Sequence, residues 1–191
     1  MFLLEVKDAI PPEVVKIMDL EFTMMRDVMR IYDNGMGFDE EEVPNAFAWY
    51  GPLCFEALSL YIQPVIEEAV GRKLFPTYSY ARIYENGSEL KRHTDRPSSE
   101  VTASCCLRKD SPWPLCFEVN GETKEFDLDP GSIVISSGAE IPHWRNPYTG
   151  TEHVQAFLQY VYADGKYSHL KWDTRPHLGM DQSTRTINKS P

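Results

Sequence analysis

The segment Leu90-Lys91-Arg92-His93-Thr94-Asp95-Arg96-Pro97 places an imidazole and a carboxylate two residues apart. In extended chain, residues i and i+2 project to the same side, so a His93 nitrogen and an Asp95 oxygen can reach one point. Alone, His-x-Asp is also what a surface loop with a salt-bridged histidine looks like. His143 gives the pattern weight. It follows fifty residues later, behind Gly138-Ala139-Glu140-Ile141-Pro142. Two histidines and one carboxylate on one side of a metal form a facial triad, which suits Fe(II) and leaves positions open for a chelating cosubstrate and dioxygen. Zinc is less favoured, because catalytic zinc sites are usually tetrahedral with one open position. Ligand type alone leaves copper open.

These side chains need elements that hold them. Pro11-Pro12 opens a helical pattern in which Val14, Val15, Met18, Phe22, Met25, Val28 and Met29 share one face. Asn34-Gly35 and Gly37 end it, and the acidic run 39–42 reads as a solvated loop. A second helix fits 53–70, with Phe55, Leu58, Ile62, Val65 and Ala69 on one side and Gly71 as its stop. The period then changes to two. Tyr78, Tyr80, Arg82 and Tyr84 face one way, with Ser79, Ala81 and Ile83 opposite. Further strands fit 100–107, 115–119, 124–128, 132–136 and 153–162, with turns at Asn120-Gly121 and Asp129-Pro130-Gly131. Strands separated only by turns predict an antiparallel sandwich or barrel, so the fold class is α+β. The expected organisation is one domain: helical support over 1–73, a β core over 74–164 and a C-terminal extension over 165–191. That extension is polar and reads as a loose tail, with Leu170 and Trp172 packing back onto the body.

Five features occur in order: Tyr84-Glu85-Asn86-Gly87, His93-Thr94-Asp95, a strand at 101–107, Asp129-Pro130-Gly131-Ser132 leading towards His143, and a last strand at 153–162. In this order the sequence resembles the Fe(II)- and 2-oxoglutarate-dependent oxygenases, most closely their prolyl-hydroxylase-like branch, over about residues 74–164. The resemblance implies a double-stranded β-helix, or jelly roll, with supporting N-terminal helices. It implies Fe(II) held by His93, Asp95 and His143, and 2-oxoglutarate as a chelating cosubstrate. It implies hydroxylation of an unactivated C–H bond, coupled to oxidative decarboxylation of 2-oxoglutarate to succinate and carbon dioxide. Asp95 argues against the halogenase variant, where a small residue vacates that position. Tyr84 matches a tyrosine that contacts the cosubstrate. One departure stands out. Many members carry Arg or Lys nine or ten residues after the distal histidine to pair with the far carboxylate, and this chain has Glu152 and His153 there. Arg145, His153 and Arg82 are the available substitutes. Arg145 is preferred for its carboxylate-matching fork, with His153 as an assisting donor. The competing reading pairs Arg145 with Glu140 or Glu152 at the surface.

Thr102, Ser104 and Cys106 should share one strand face, and Gln155 the face of His153. Small polar residues turned inward predict a pocket for a polar ligand, although a one-residue slip would turn all of them outward. Arg96 is placed at the opening, and Trp144 and Trp113 are candidate walls. Lys91, Arg92 and Arg96 form a basic cluster that favours an anionic ligand. These residues point to a small polar partner, with an anion favoured, and the resemblance adds a prolyl-type residue as the other expected substrate.

Composition sets the outer bounds. The chain has 191 residues and a net charge of −10, which excludes bulk attraction to nucleic acid. The charge is uneven: from Lys166 onward the net is +3, and before it −13. No run approaches the ~18 apolar residues of a membrane span. The first residues carry no basic leader, and Cys54, Cys105, Cys106 and Cys116 show no Cys-x-x-Cys spacing. Reduced buried thiols in a cytoplasmic protein are expected, and the sequons at Asn86 and Asn188 are set aside. Two other classes fit less well. One is a non-oxidative cupin-like metal- or ligand-binding β-barrel, where His-x-His is usual. The other is an all-β interaction domain with structural histidines.

Overall fold

Period-two alternation builds most of the strands, and the computed structural model describes residues 1–33, 35–38 and 43–186. The acidic run 39–42 and the sequon at 188–190 lie outside the described residues. In chain order the elements are β1 (Leu3–Val6), α1 (Pro12–Tyr32), β2 (Ala46–Tyr50), α2 (Leu53–Val70), β3 (Leu74–Glu85), β4 (Leu90–His93) and β5 (Val101–Lys109). They continue with β6 (Leu115–Val119), β7 (Glu122–Phe126), β8 (Ile133–Ser136), β9 (His143–Arg145) and β10 (Glu152–Tyr162). All strand pairs are antiparallel. One sheet has the order β1-β8-β5-β10-β3-β2 and the other β4-β9-β6-β7.

The large sheet is buried on both faces, and alternation decides which face each residue joins. Val101, Ala103, Cys105 and Leu107 of β5 join Val154, Ala156, Leu158 and Tyr160 of β10 in one core. Phe22 of α1 and Phe55, Leu58, Ile62 and Ile66 of α2 fill the other side of that core. The opposite sheet face contributes Tyr84, Cys106 and Val134 to a second core with Leu90, Leu115 and Phe117 of the small sheet. Adjacent Cys105 and Cys106 thus point into different cores, and all four cysteines are free. No described helix is long and apolar enough to cross a membrane.

Three expectations change. The segment 1–73 is not purely helical: β1 and β2 form the two edges of the large sheet. Neither announces itself by alternation, because Ala46, Phe47 and Ala48 are all buried and β1 is four residues long. The α1 face also needs correcting at Val28, which is 40% exposed. It lies outward with Ile17, Leu20, Met24 and Ile31, about half a turn from buried Val15 and Phe22.

The C-terminal extension is pinned rather than loose. Its Arg175 guanidinium is buried and donates to Glu56 (2.8 Å), Thr77 O (2.9 Å) and Met180 O (2.6 Å). Just before it, Trp172, Asp173 and Thr174 hold φ of 55°, 57° and 62°. Left-handed backbone costs roughly 1–2 kcal/mol per non-glycine residue, so such a run persists only where its surroundings hold it. Glu56→Gln should therefore destabilise the protein by roughly 3–5 kcal/mol, because it strands a buried guanidinium. Replacing both partners by apolar residues, Glu56→Leu with Arg175→Met, should not recover the loss, because the Ser79 and Gly179 N–H groups and the Thr77 and Met180 carbonyls then lose their partners. Midpoints of urea unfolding check both.

Candidate metal centre and cavity

The metal-ligand geometry begins with one register. β4 pairs with β9, and His93 lies directly opposite His143. Facing residues of a ladder project to the same side, so the two rings meet with centroids 4.3 Å apart. Asp95 follows β4 and is held by its own N–H, which donates to Gly138 O (3.0 Å). A Cβ at position 138 would collide with Thr102 Oγ1 and Asp95 Oδ2, so only glycine admits this approach. Asp95 Oδ1 stands 3.6 Å from His93 Nε2 and 3.7 Å from His143 Nε2. One ligand atom from each of the three residues lies within 4.8 Å of the others.

The surrounding bonds set these groups up as ligands. His93 Nδ1 is 2.8 Å from Lys91 O and His143 Nδ1 is 3.0 Å from Ile141 O. Each Nδ1–H donates to a carbonyl, which leaves the Nε2 lone pair turned to the common point. Burial holds the His143 pKa below its ordinary value and keeps the ring neutral, despite the Asp95 charge. Burial opposes the charge on Asp95, but the adjacent His93 and His143 and the Thr102 hydroxyl together hold its carboxyl below the usual range. Thr102 donates to Asp95 Oδ2 at 2.8 Å and lies 2.7 Å from Gln159 Oε1. Two imidazoles and an oriented carboxylate on one side fit a divalent metal with open positions opposite.

A cavity of about 560 Å³ borders the triad. Its walls come from Tyr78, Tyr80 and Arg82 of β3, Thr102 of β5, and Phe157 and Gln159 of β10. Tyr50, Arg96, Gln182 and Arg185 complete them. Behind Leu90 and Phe157, which line the cavity, a second polar group is buried. Arg145 is 1% exposed, with its guanidinium 4.5 Å over the Trp113 ring. It donates to Trp113 O, and to Gln155 Oε1 at 3.0 Å. His153 Nε2 reaches the same Gln155 Oε1 at 2.8 Å. Burial, then the Arg145 charge, pushes the His153 pKa down to about 3. His153 is therefore neutral, donates from Nε2 and turns its bare Nδ1 inward, so its donor is already engaged. Among the described residues, Tyr84 Oη, Arg145 Nε, Gln155 Nε2 and His153 Nδ1 are buried without a partner. Three of these four are donors, and buried donors normally find acceptors. A carboxylate supplies acceptors of the kind this group lacks.

The residues singled out in the sequence thus fall into sets. His93, Asp95 and His143 converge. Arg82, Arg96 and Thr102 line the cavity. Tyr84, Arg145, His153 and Gln155 form the group behind it. Ser104 and Cys106 share the inward face of Thr102 but are buried off the cavity wall, Cys106 within the second core. Trp144 is corrected: it lies between inward His143 and Arg145 on β9, so it projects to the other side and off the cavity. The surface pairing of Arg145 is also excluded by its burial. Glu152 instead binds Arg26 (2.6 Å) and Arg108 (2.7 Å). Tyr78, Tyr80, Phe157 and Gln159 were legible from the alternation that gave Arg82 and Gln155. Tyr50, Asp173, Gln182 and Arg185 carried no local signal, since remote segments bring them in.

No protein-family model matches the chain, and no curated protein matches it in sequence. Solved structures match its fold. A prolyl-4-hydroxylase from Pseudomonas putida has a TM-score of 0.63 at 14% identity, over 84% of this chain and 92% of that one. HygX from Streptomyces hygroscopicus, solved with nickel, 2-oxoglutarate and hygromycin B, gives 0.64 at 11% identity, over 85% and 83%. SnoK, a non-heme alpha ketoglutarate-dependent carbocyclase from nogalamycin biosynthesis, gives 0.66 at 11% identity, over 88% and 85%. The chain has the fold of the metal- and 2-oxoglutarate-dependent oxygenases, prolyl hydroxylases among them.

Two outcomes follow from this geometry. Thr102→Val should leave the fold intact and weaken divalent-metal binding by about 10–100-fold, read by calorimetry with Mn(II). His153 has a folded pKa near 3 against an ordinary 6.5. Between those values the unfolded chain binds a proton that the folded chain refuses. Stability from this group is present above pH 6.5 and is lost as pH falls towards 3. Between about pH 6.5 and about pH 4.5 the wild type should lose about 2 kcal/mol more than His153→Gln, measured by urea unfolding at each pH.

Proposed function

We propose that this chain is an Fe(II)- and 2-oxoglutarate-dependent dioxygenase that hydroxylates an unactivated C–H bond of a small polar molecule or a prolyl-type residue. The observation that carries the reading is the convergence of His93 Nε2, His143 Nε2 and Asp95 Oδ1, with both Nδ1 atoms committed to carbonyls. The strand order supports it. From β3 to β10 the chain passes back and forth between the two sheets, which we read as a double-stranded β-helix in a single domain. Fold neighbours solved with nickel and 2-oxoglutarate add support.

In this reading His93, Asp95 and His143 hold one face of Fe(II), and Thr102 orients the Asp95 carboxylate. Tyr84, Arg145 and Gln155 supply donors for the far carboxylate of 2-oxoglutarate. His153 assists by holding Gln155 Oε1, which turns the Gln155 amide NH₂ towards that group. Arg145 brings the fixed positive charge, since His153 is neutral. Metal and cosubstrate, when bound, supply the oxidative decarboxylation that yields succinate and drives C–H oxidation. Phe157 and Leu90 give the cavity its apolar wall, which limits water near the reacting carbon. Free cysteines, two of them fully buried, suit the reducing cytoplasm as the working compartment.

Fe(II) and 2-oxoglutarate added without oxygen should give a visible charge-transfer band, absent from His143→Ala and Asp95→Ala. A folded wild type without that band would reduce the chain to a metal- or ligand-binding β-barrel. Arg145→Gln should weaken 2-oxoglutarate binding by at least about tenfold in a titration of the band, the usual cost of removing one partner of a buried charge pair. Loss of affinity in Arg82→Gln with none in Arg145→Gln would move the anchor to the cavity wall.

A further inference from the structure

The cavity mouth contains a charge arrangement that the triad and the buried Arg145 group do not use. Asp173 is 3% exposed, although it sits in the C-terminal extension. Its Oδ2 accepts from Tyr50 Oη (2.7 Å), from Arg96 Nη2 (2.8 Å) and from Arg185 Nη2. Tyr50 and Tyr78 stack with ring centroids 5.2 Å apart and 14° between planes. Arg96 caps Tyr78 at 4.2 Å, and Arg185 caps Tyr50 at 4.8 Å. One carboxylate therefore serves two guanidiniums, which leaves one positive charge unmatched. Both guanidiniums line the cavity, and their side chains are 41% and 29% exposed. Arg185 Nε is shielded from solvent and has no acceptor among the described residues.

We propose that Arg96 and Arg185 form a subsite for the anionic group of the substrate, a carboxylate or a phosphate on a small organic molecule. The inference rests on the oxygenase reading of the triad and deepens it. Arg96 and Arg185 line the same cavity as His93, Asp95 and His143, so an anion held there shares the space that borders the reacting centre. The tyrosine pair and Asp173 fix the guanidiniums before any ligand arrives, which lowers the ordering cost of binding. Guanidinium forks match carboxylate and phosphate oxygens in pairs. A purely structural role for the pair is the competing account. It is weakened by the independent anchor at Arg175 and Glu56, which already fastens the extension. A positive mouth on a chain of net charge −10 also draws anions to this point in particular.

The test is calorimetric titration of the protein loaded with Mn(II) and 2-oxoglutarate. The probes are phenylacetate, phenyl phosphate and neutral phenylacetamide. The expected result is binding of at least one anion, weaker binding of the amide by at least about tenfold, and loss of anion affinity as sodium chloride rises. The stronger of the two anions identifies the source of the charge. Arg185→Gln should weaken the anion by about tenfold, and Arg185→Lys should recover only part of it, because it restores the charge without the fork. Arg96→Lys serves as the second variant if Arg185→Gln does not fold, and it should weaken the anion by losing the fork. Equal binding of amide and acid overturns the proposal, as does failure of every probe to bind. So does a folded Arg185→Gln that binds like the wild type. Anion binding seen only without 2-oxoglutarate would assign these arginines to the cosubstrate and also overturn it. The anaerobic band separates the two readings. A band without anion binding rejects this inference alone, and anion binding without a band rejects the oxygenase.

Discussion

The antiparallel pairing of β4 with β9 is the constraint on which the rest of the site depends. It sets His93 opposite His143, with Leu90 opposite Arg145 beyond a register irregularity. A slip of one residue would turn an imidazole out of the sandwich and put Trp144 inside. Two short strands, four and three residues long, cannot hold such a register alone. Their neighbours hold it. β9 also pairs with β6, where Phe117 lies opposite His143, and the Gly138 carbonyl anchors the backbone of Asp95. The proposed metal site is thus a property of the small sheet, oriented by Thr102 from the large one.

Buried charge is handled by a different rule in each part of the molecule. At Arg175 the guanidinium meets a buried carboxylate and three carbonyls, and the outcome is mechanical: the C-terminal extension is fastened to α2 and β3. At Arg145 no carboxylate is in hydrogen-bonding contact among the described residues, and the surrounding donors outnumber their acceptors. A structural ion pair and a proposed ligand cradle have the same residue type in the sequence. The difference is whether the protein itself supplies the counter-charge. Burying a charge without one is expensive, so a site left in deficit points to a ligand that supplies it.

Much of this was legible in the residues. His-x-Asp with a later histidine predicted a facial triad, and the three groups do converge. Alternation along β3, β5 and β10 assigned faces correctly, so Arg82, Thr102 and Gln155 turned inward as expected. The buried position of Arg145 also follows from its being two residues after His143. Other features were not legible. β1 and β2 are edge strands whose pairing depends on distant partners, and their residues do not alternate. Asp173, Gln182 and Arg185 come from a polar extension with no periodicity. His153 has the residue type of a donor, but its tautomer is decided by Gln155, which lies beside it only because the strand is extended.

The sequence by itself determined what depends on local spacing. That comprises the strand periods, the two helices, the turn positions and the presence of two imidazoles and a carboxylate able to meet on one side. Tertiary structure decided what depends on which segments meet. It put β4 beside β9, closed the second core around Arg145, and folded the extension over the cavity so that Asp173 could bridge Arg96 and Arg185. The physical reason is one of range. Side-chain direction is set by backbone geometry over two to four residues. Charge balance and polar satisfaction are settled only when remote groups are brought together away from water.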